Sequence, residues 1–270
     1  FLNCYILQSI TMPSSMTALT TLANTFANCY LLTSVTLPAS LNLVTGMQFC
    51  FQQCYALGAV TLPTSMSVVS LFNNTFLNCK SISSITLPAT VGVVTTFSFT
   101  FSGCISLKTC VLPLQGASQL SAVTNINNMF AQCSNLTTLT NFAKIGSLTA
   151  TPLMSATGIL YNRFSSGSAI SFSGPLSALA LNGGSATQKA DVQSVRLTNT
   201  SAGQWTGASP QINISNTNMS TAQIVQLFND MAAQPSVVSK TINITTATGT
   251  SGLTAPNRAI VTNKGWTITG

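Results

Sequence analysis

Leu22-Ala23-Asn24-Thr25-Phe26-Ala27-Asn28-Cys29-Tyr30-Leu31-Leu32-Thr33-Ser34-Val35-Thr36-Leu37-Pro38 is one unit of a pattern that recurs along the chain. Its Phe26/Cys29 pair has counterparts at Phe1/Cys4, Phe51/Cys54, Phe76/Cys79 and Phe101/Cys104, at a constant step of 25 residues, and at Phe130/Cys133 after 29. Self-similarity at such a period is the signature of a solenoid, in which each unit buries its apolar face only against its neighbours. The repeat decides the architecture and narrows the function to display of a surface.

Aligned on the phenylalanine, the units share further positions. An apolar residue follows each Cys by three (Leu7, Leu32, Leu57, Ile82, Leu107, Leu136) and another by six (Ile10, Val35, Val60, Ile85, Cys110, Leu139). Thr-[Leu/Met]-Pro comes next in four units, and the fifth has Val111-Leu112-Pro113. Alternation such as Ser9-Ile10-Thr11-Met12 has the period of two that a half-buried strand requires. Proline offers no N–H to a ladder, so it ends the strand and turns the chain. One short strand per unit, stacked in register, predicts a parallel sheet along one face. Upstream of each Phe, apolar residues recur at steps of three or four, as in Met66, Val69, Phe72 and Phe76, which suits an irregular or 3-10-like return arc with its side chains turned inward. Phe26, Phe51, Phe76, Phe101 and Phe130, with Cys29, Cys54, Cys79, Cys104 and Cys133, are read as a structural column.

The pattern Phe-x-x-Cys-x-x-Leu-x-x-Ile-Thr-Leu-Pro resembles the BspA-like branch of leucine-rich repeats. Five matched units and a looser sixth cover 1–142. The fold expected is an α/β-type solenoid dominated by β, a leucine-rich repeat with one parallel strand per unit of about 25 residues. Residues 143–270 are read as degenerate repeats and a C-terminal cap, continuous with the same solenoid. Strands are expected at Ile170–Phe172, Val195–Leu197, Ile212–Ile214, Ile242–Ile244 and Trp266–Ile268, as further rungs spaced unevenly. Ser220-Thr221-Ala222-Gln223 has the form of a capping box, opening a helix through Ile224, Leu227, Phe228 and Met231 that Pro235 ends. A second helix is expected from Pro256 to Asn263, stopping at Gly265, with Trp266 closing the last rung. Phe1 enters mid-repeat, so the expectation is either a processed or excised piece of something longer or an upstream domain of the same chain that abuts it.

Only 4% of residues are charged, against about 25% in an ordinary domain. There is no His and no Glu, and the acids are Asp191 and Asp230. Catalysis needs a base, an acid, a metal or an activated nucleophile, and neither a Ser nor a Cys here has a His partner. Two Asp 39 residues apart are a poor carboxylate pair, and Asn182-Gly183-Gly184-Ser185 lacks the context of a phosphate loop. No enzyme and no cofactor are expected. The net charge of +7 comes from scattered Lys and Arg, with no aromatic-interleaved cluster, so nucleic acid is not an expected partner. Polar residues interrupt every apolar stretch before a membrane span is reached.

Stacked rungs place equivalent cysteines about 4.8 Å apart with parallel side-chain vectors, whereas a disulfide needs converging Cβ atoms nearer about 3.8 Å. Buried free thiols bonded weakly to turn backbone are expected, and zinc is not, for want of His or Cys-x-x-Cys. Cys50 and Cys110 are read as packing residues. The Asn-x-Ser/Thr sequons are what so Asn-, Ser- and Thr-rich a chain produces by accident.

The outward face of the strands carries Ser9, Thr11, Ser34, Thr36, Thr61, Ser84, Thr86, Thr109, Thr138 and Thr140. Rows of hydroxyls suit weak, multivalent contact with glycans or envelope polymers, although Thr is also a good exposed strand former. The family resemblance implies surface adhesion and host recognition. Small uncharged residues, scarce acids and regular repeats also resemble virion appendages, such as fibres or decoration proteins of tailed bacteriophages, and the stretch 253–268 looks like the ends of repeat proteins in such structures. The expected partners are other virion or surface proteins, a host surface glycan or protein, and further copies of the chain. The expected location is a virion surface, with a bacterial cell-surface adhesin as the second reading. An ice-binding solenoid is a third, disfavoured because Ala59 and Val111 interrupt the Thr array.

Overall fold

Each rung is built from two kinds of backbone, and the apolar spacing in the sequence assigns them. The computed structural model describes residues 1–13, 16–39, 41–91, 93–113, 122–123, 125–126, 128–136, 138–140, 154–156, 170–172, 176–180, 195–197, 211–233 and 240–270. One strand per repeat forms at β1 (Ser9–Thr11), β2 (Ser34–Thr36), β3 (Ala59–Thr61), β4 (Ser84–Thr86), β5 (Thr109–Val111) and β6 (Thr138–Thr140). Pairing is parallel and in repeat register: Val35 lies between Ile10 and Val60, and Cys110 between Ile85 and Leu139. In β1 to β4 the central residue turns inward while its neighbours face out, as the period of two demands.

The return arc alternates its hydrogen bonds. Leu22, Asn24, Phe26 and Asn28 donate their N–H groups to Gly46, Gln48, Cys50 and Gln52 of the next rung, while Thr25, Ala27 and Cys29 donate back to carbonyls three residues earlier. Every second amide thus serves the stack and every other one a local turn, which satisfies the backbone without helix or sheet. The spacing of three anticipates these turns. The turns need residues at positive φ, supplied by Asn24, Phe49, Asn74, Phe99 and Asn128 at one position and by Asn28, Gln53, Asn78, Gly103 and Gln132 at another. Asn and Gly tolerate that region best. This second column stands two residues after each Phe, a signal present in the sequence.

Inside, Phe1, Phe26, Phe51, Phe76, Phe101 and Phe130 stack face to face, with centroids 5.4–5.6 Å apart from ring to ring and planes within 8°. Offset stacking adds about 0.5–1.5 kcal/mol per pair beyond the burial of the rings. One apolar cluster runs from Met12 through the Phe and Cys columns to Trp266.

The described strands of the second half do not all pair in one file. Strands β7 (Met154–Ala156), β8 (Ile170–Phe172), β9 (Leu176–Ala180), β10 (Val195–Leu197), β11 (Gln211–Asn213), β12 (Thr241–Asn243) and β13 (Thr267–Thr269) divide between two sheets. One has the order β13-β12-β11-β9-β7, and among the described residues β8 pairs with β10. The uneven spacing read from the sequence therefore mixes two columns. β7 and β9 escape that reading because Met154-Ser155-Ala156 and Leu176-Ser177-Ala178-Leu179-Ala180 are not β-branched.

Helix α1 (Thr221–Asp230) packs beside β10 and carries the expected capping box, Ser220 with Gln223. It ends at Asp230 rather than running toward Pro235, which lies outside the described residues: Met231 turns extended at ψ 128° after its N–H bonds Leu227 O. Lys264 Nζ donates to Phe228 O and Asn229 O at 2.9 Å and so caps the helix with a cation. Helix α2 (Ala255–Thr262) has its own box, Thr254 with Asn257, and Trp266 is buried beneath it.

Candidate functional site: the strand face

Two positions of each strand from β1 to β4 look outward, and repeat register lines up those of neighbouring strands. Ser9, Thr11, Ser34, Thr36, Thr61, Ser84 and Thr86 are exposed and Thr109 is half-buried. Ser9 and Ser34 are paired, as are Thr11, Thr36 and Thr61 in series. β6 holds Thr138 and Thr140 opposite Thr109 and Val111, and the side chains of these two threonines lie outside the described ones. Ala59 interrupts one hydroxyl column.

The sheet is not continuous, contrary to the single sheet that the repeat predicts. β1-β2-β3 and β4-β5-β6 are separate, and β3 and β4 exchange no hydrogen bond. At the junctions on either side, Gly58 N donates to Thr33 O (3.0 Å), Leu37 N to Thr61 O (3.1 Å), Lys108 N to Ser83 O (2.8 Å) and Leu87 N to Val111 O (2.9 Å). The equivalent bonds between β3 and β4 are absent. In their place is a cleft of about 540 Å³ lined by Gly58–Thr64 and Ser84–Ala89. Val60 and Leu62 are half-buried there, whereas Val35, Leu37, Ile85 and Leu87 of the other rungs are buried.

The cleft is closed at both ends and behind. Ser81 Oγ bonds Tyr55 O at 2.7 Å, Met66 N bonds Thr90 O at 2.7 Å, and the Phe51 and Phe76 rings remain 5.4 Å apart. Beside one end runs a ladder that sequence reading missed: Tyr5, Tyr30 and Tyr55 stack at 5.0 Å, and Lys80 places its ammonium 4.6 Å over the Tyr55 ring. Its signal is the residue after each Cys.

The cysteine column is structural. Cys29, Cys54, Cys79, Cys104 and Cys133 each aim Sγ at the carbonyl of the Phe one rung back, at 3.0–3.1 Å. Burial pushes the Cys54 and Cys104 thiols up to about 12, so they remain protonated. Cys50 takes the place that Thr75 and Thr100 fill in later rungs, where hydroxyls bond Met47 O and Phe72 O. Among the described residues no group of three or more Cys or Asp side chains is placed to hold a metal ion, and no helix is long and apolar enough to cross a membrane.

The profile of the BspA type leucine-rich repeat region matches residues 47–150 in six copies. No curated protein matches the chain. The crystal structure of a leucine-rich repeat protein of T. pallidum is 22% identical over 50% of this chain and 69% of its own, with a TM-score of 0.34. A leucine-rich repeat protein from Bacteroides ovatus is 17% identical over 90% of this chain and 70% of its own, with a TM-score of 0.44. Over residues 47–150 the Phe and Cys columns, the single short strand per repeat and the profile match agree: this stretch of the chain is a BspA-type leucine-rich-repeat region.

Proposed function

We propose that the chain is a non-enzymatic binding module of a virion or cell surface, and that it attaches through the exposed hydroxyls of its strand face to a host glycan or envelope polymer. The observation that carries this reading is the register of Thr11, Thr36 and Thr61 in one outward column beside Ser9 and Ser34. Rungs about 4.8 Å apart repeat the same weak donor and acceptor, and many weak contacts in series combine into useful avidity. BspA-type repeat proteins are often surface-associated, which fits this role. The near absence of charge leaves hydroxyls as the groups such a face can offer.

Replacing Thr36, Thr61 and Thr86 together by Lys tests the reading. These side chains are exposed, so the fold is retained, and attachment of the purified chain to host cells or extracted envelope glycan is expected to be lost. Unchanged attachment by a folded triple variant removes the strand face from the function. Immunogold labelling of source particles and cells separates a phage fibre, tail or decoration component from a bacterial adhesin.

A further inference from the structure

We infer that the cleft between β3 and β4 is a peptide-binding slot, which takes one extended, uncharged strand and pairs it with both walls. Four main-chain groups face the gap without a partner: Gly58 O and Leu62 N on one wall, Ser83 N and Thr86 O on the other. Their counterparts at the flanking junctions are all bonded, so each wall retains the unpaired donors and acceptors of a sheet edge. An unpaired strand edge is a template for another backbone, and strand addition gives affinity through the main chain while alternate side chains give specificity.

The floor and the ends define the occupant further. Half-buried Val60 and Leu62 expose apolar surface on the core side, so the guest must turn every second side chain inward and make it apolar. No charged residue lines the slot, and no aromatic ring or carboxylate is there to grip a sugar. The Ser81–Tyr55 and Met66–Thr90 bonds close the ends and limit the guest to about seven residues. The pattern that fits is small polar, Val or Ile, small polar, Leu, which is the pattern of the rungs on either side. A guest of this kind would stand to β3 as β3 stands to β2, and to β4 as β4 stands to β5. The inference does not depend on what the hydroxyl rows bind, since its contacts are main-chain amides and an apolar floor.

The test uses the whole chain and an acetylated peptide with the sequence Thr33-Ser34-Val35-Thr36-Leu37-Pro38. In the free chain the Leu62 and Ser83 amides are expected to exchange with deuterium much faster than those of Leu37 and Lys108. Adding the peptide is expected to slow both by about tenfold or more, and a copy N-methylated at alternate residues is expected to have no effect. Because the protein itself is unaltered, misfolding of a variant cannot produce this result. Slow exchange of Leu62 and Ser83 in the free chain, equal protection by the N-methylated or a scrambled peptide, or protection by a soluble oligosaccharide alone would each overturn the inference. Loss of attachment in the Thr-to-Lys variant is read separately and leaves it untouched.

Discussion

Cys79 Sγ donates to the carbonyl oxygen of Phe51, one rung back, at 3.0 Å. The same bond recurs along the array, so each thiol ties the start of its own strand segment to the ring column of the preceding rung. Both partners are buried, and a weak bond in such a place matters chiefly because its loss leaves a gap and one less donor.

The thiols give the chain an alkaline limit. In the unfolded state a Cys ionises near its ordinary value of 9.0, while burial holds Cys54 and Cys104 protonated up to about 12. Folded molecules therefore bind more protons than unfolded ones between those values. The stability this represents is complete below about pH 9 and falls as pH rises, by at most about 1.4 kcal/mol per pH unit for each such thiol. The urea midpoint is expected to hold up to about pH 9 and to fall progressively from there toward about pH 12, and Cys54→Ala, though less stable at pH 7, is expected to show a shallower fall. Iodoacetamide at pH 8 is expected to label half-buried Cys4 first and the seven buried cysteines only on unfolding. A flat pH profile, or rapid labelling of the column in the folded chain, would contradict the packing described.

The phenylalanine column transmits stability from rung to rung. Phe76 is fully buried and stacks on Phe51 at 5.4 Å and on Phe101 at 5.6 Å. Phe76→Ala removes both stacks and opens a cavity, for an expected loss of about 3–5 kcal/mol. Phe76→Leu keeps most of the volume and is expected to cost less than half of that. Rungs touch only their neighbours, so amide exchange in the alanine variant should accelerate most between Cys50 and Cys104. A uniform acceleration across the C-terminal sheet would mean the array unfolds as one unit.

The repeat was legible because in-register stacking gives equivalent residues equivalent surroundings: Phe26 and Phe101 meet the same neighbours, so they remain the same residue. The strands of the repeat array and the capping box that opens α1 follow from equally local chemistry, whereas sequence reading missed the Thr254 box of α2. The open ladder was not legible. Ala59-Val60-Thr61 and Ser84-Ile85-Thr86 alternate as regularly as the paired strands, so their pattern says nothing of a missing hydrogen bond. The division of the later strands was hidden for another reason. β10 pairs with β8 in one column while β9 and β11 occupy another, and spacing alone cannot separate two interleaved series. Nor does strand propensity single out Leu176-Ser177-Ala178-Leu179-Ala180, which owes its conformation to the neighbour it pairs with.

Gly103 tests the requirement for positive φ. It sits at φ +74° in the column otherwise filled by Asn28, Gln53, Asn78 and Gln132. A Cβ built there meets Asn78 Oδ1 and lies 3.4 Å from Asn78 Cα. Gly103→Ala therefore combines left-handed strain with a contact that Asn78 must rotate to relieve, for an expected loss of about 1–3 kcal/mol in chemical denaturation. Gly103→Asn meets the same Cβ contact, but Asn tolerates positive φ better and can reproduce the Asn28 Nδ2 to Asn3 Oδ1 bond of 2.8 Å found lower in the column. It is expected to be milder than the alanine variant. The opposite order would show that space, not backbone conformation, reserves this position for glycine.

Asp230 closes α1 onto the sheet beside it, and its two kinds of partner are unequal. Its carboxylate accepts Arg196 Nε at 2.6 Å and Nη2 at 3.1 Å, Gln226 Nε2 at 2.9 Å, and the N–H of Leu197 at 3.1 Å. Arg196 is largely solvated, whereas Asp230 and Leu197 are buried. Removing the arginine leaves a carboxylate that still holds Gln226 and the Leu197 amide, and water can reach the vacated side. Removing the carboxylate orphans a buried main-chain N–H, at a cost of about 1–3 kcal/mol, and detaches the end of α1 from β10. Thermal denaturation is therefore expected to place Asp230→Ala well below Arg196→Gln, with Arg196→Gln near the unmodified chain. Added salt should narrow the small Arg196→Gln difference and leave the Asp230→Ala difference in place, because screening acts on the exposed ion pair and not on the buried amide. If the two variants melt together, the ion pair rather than the amide bond holds α1 in place.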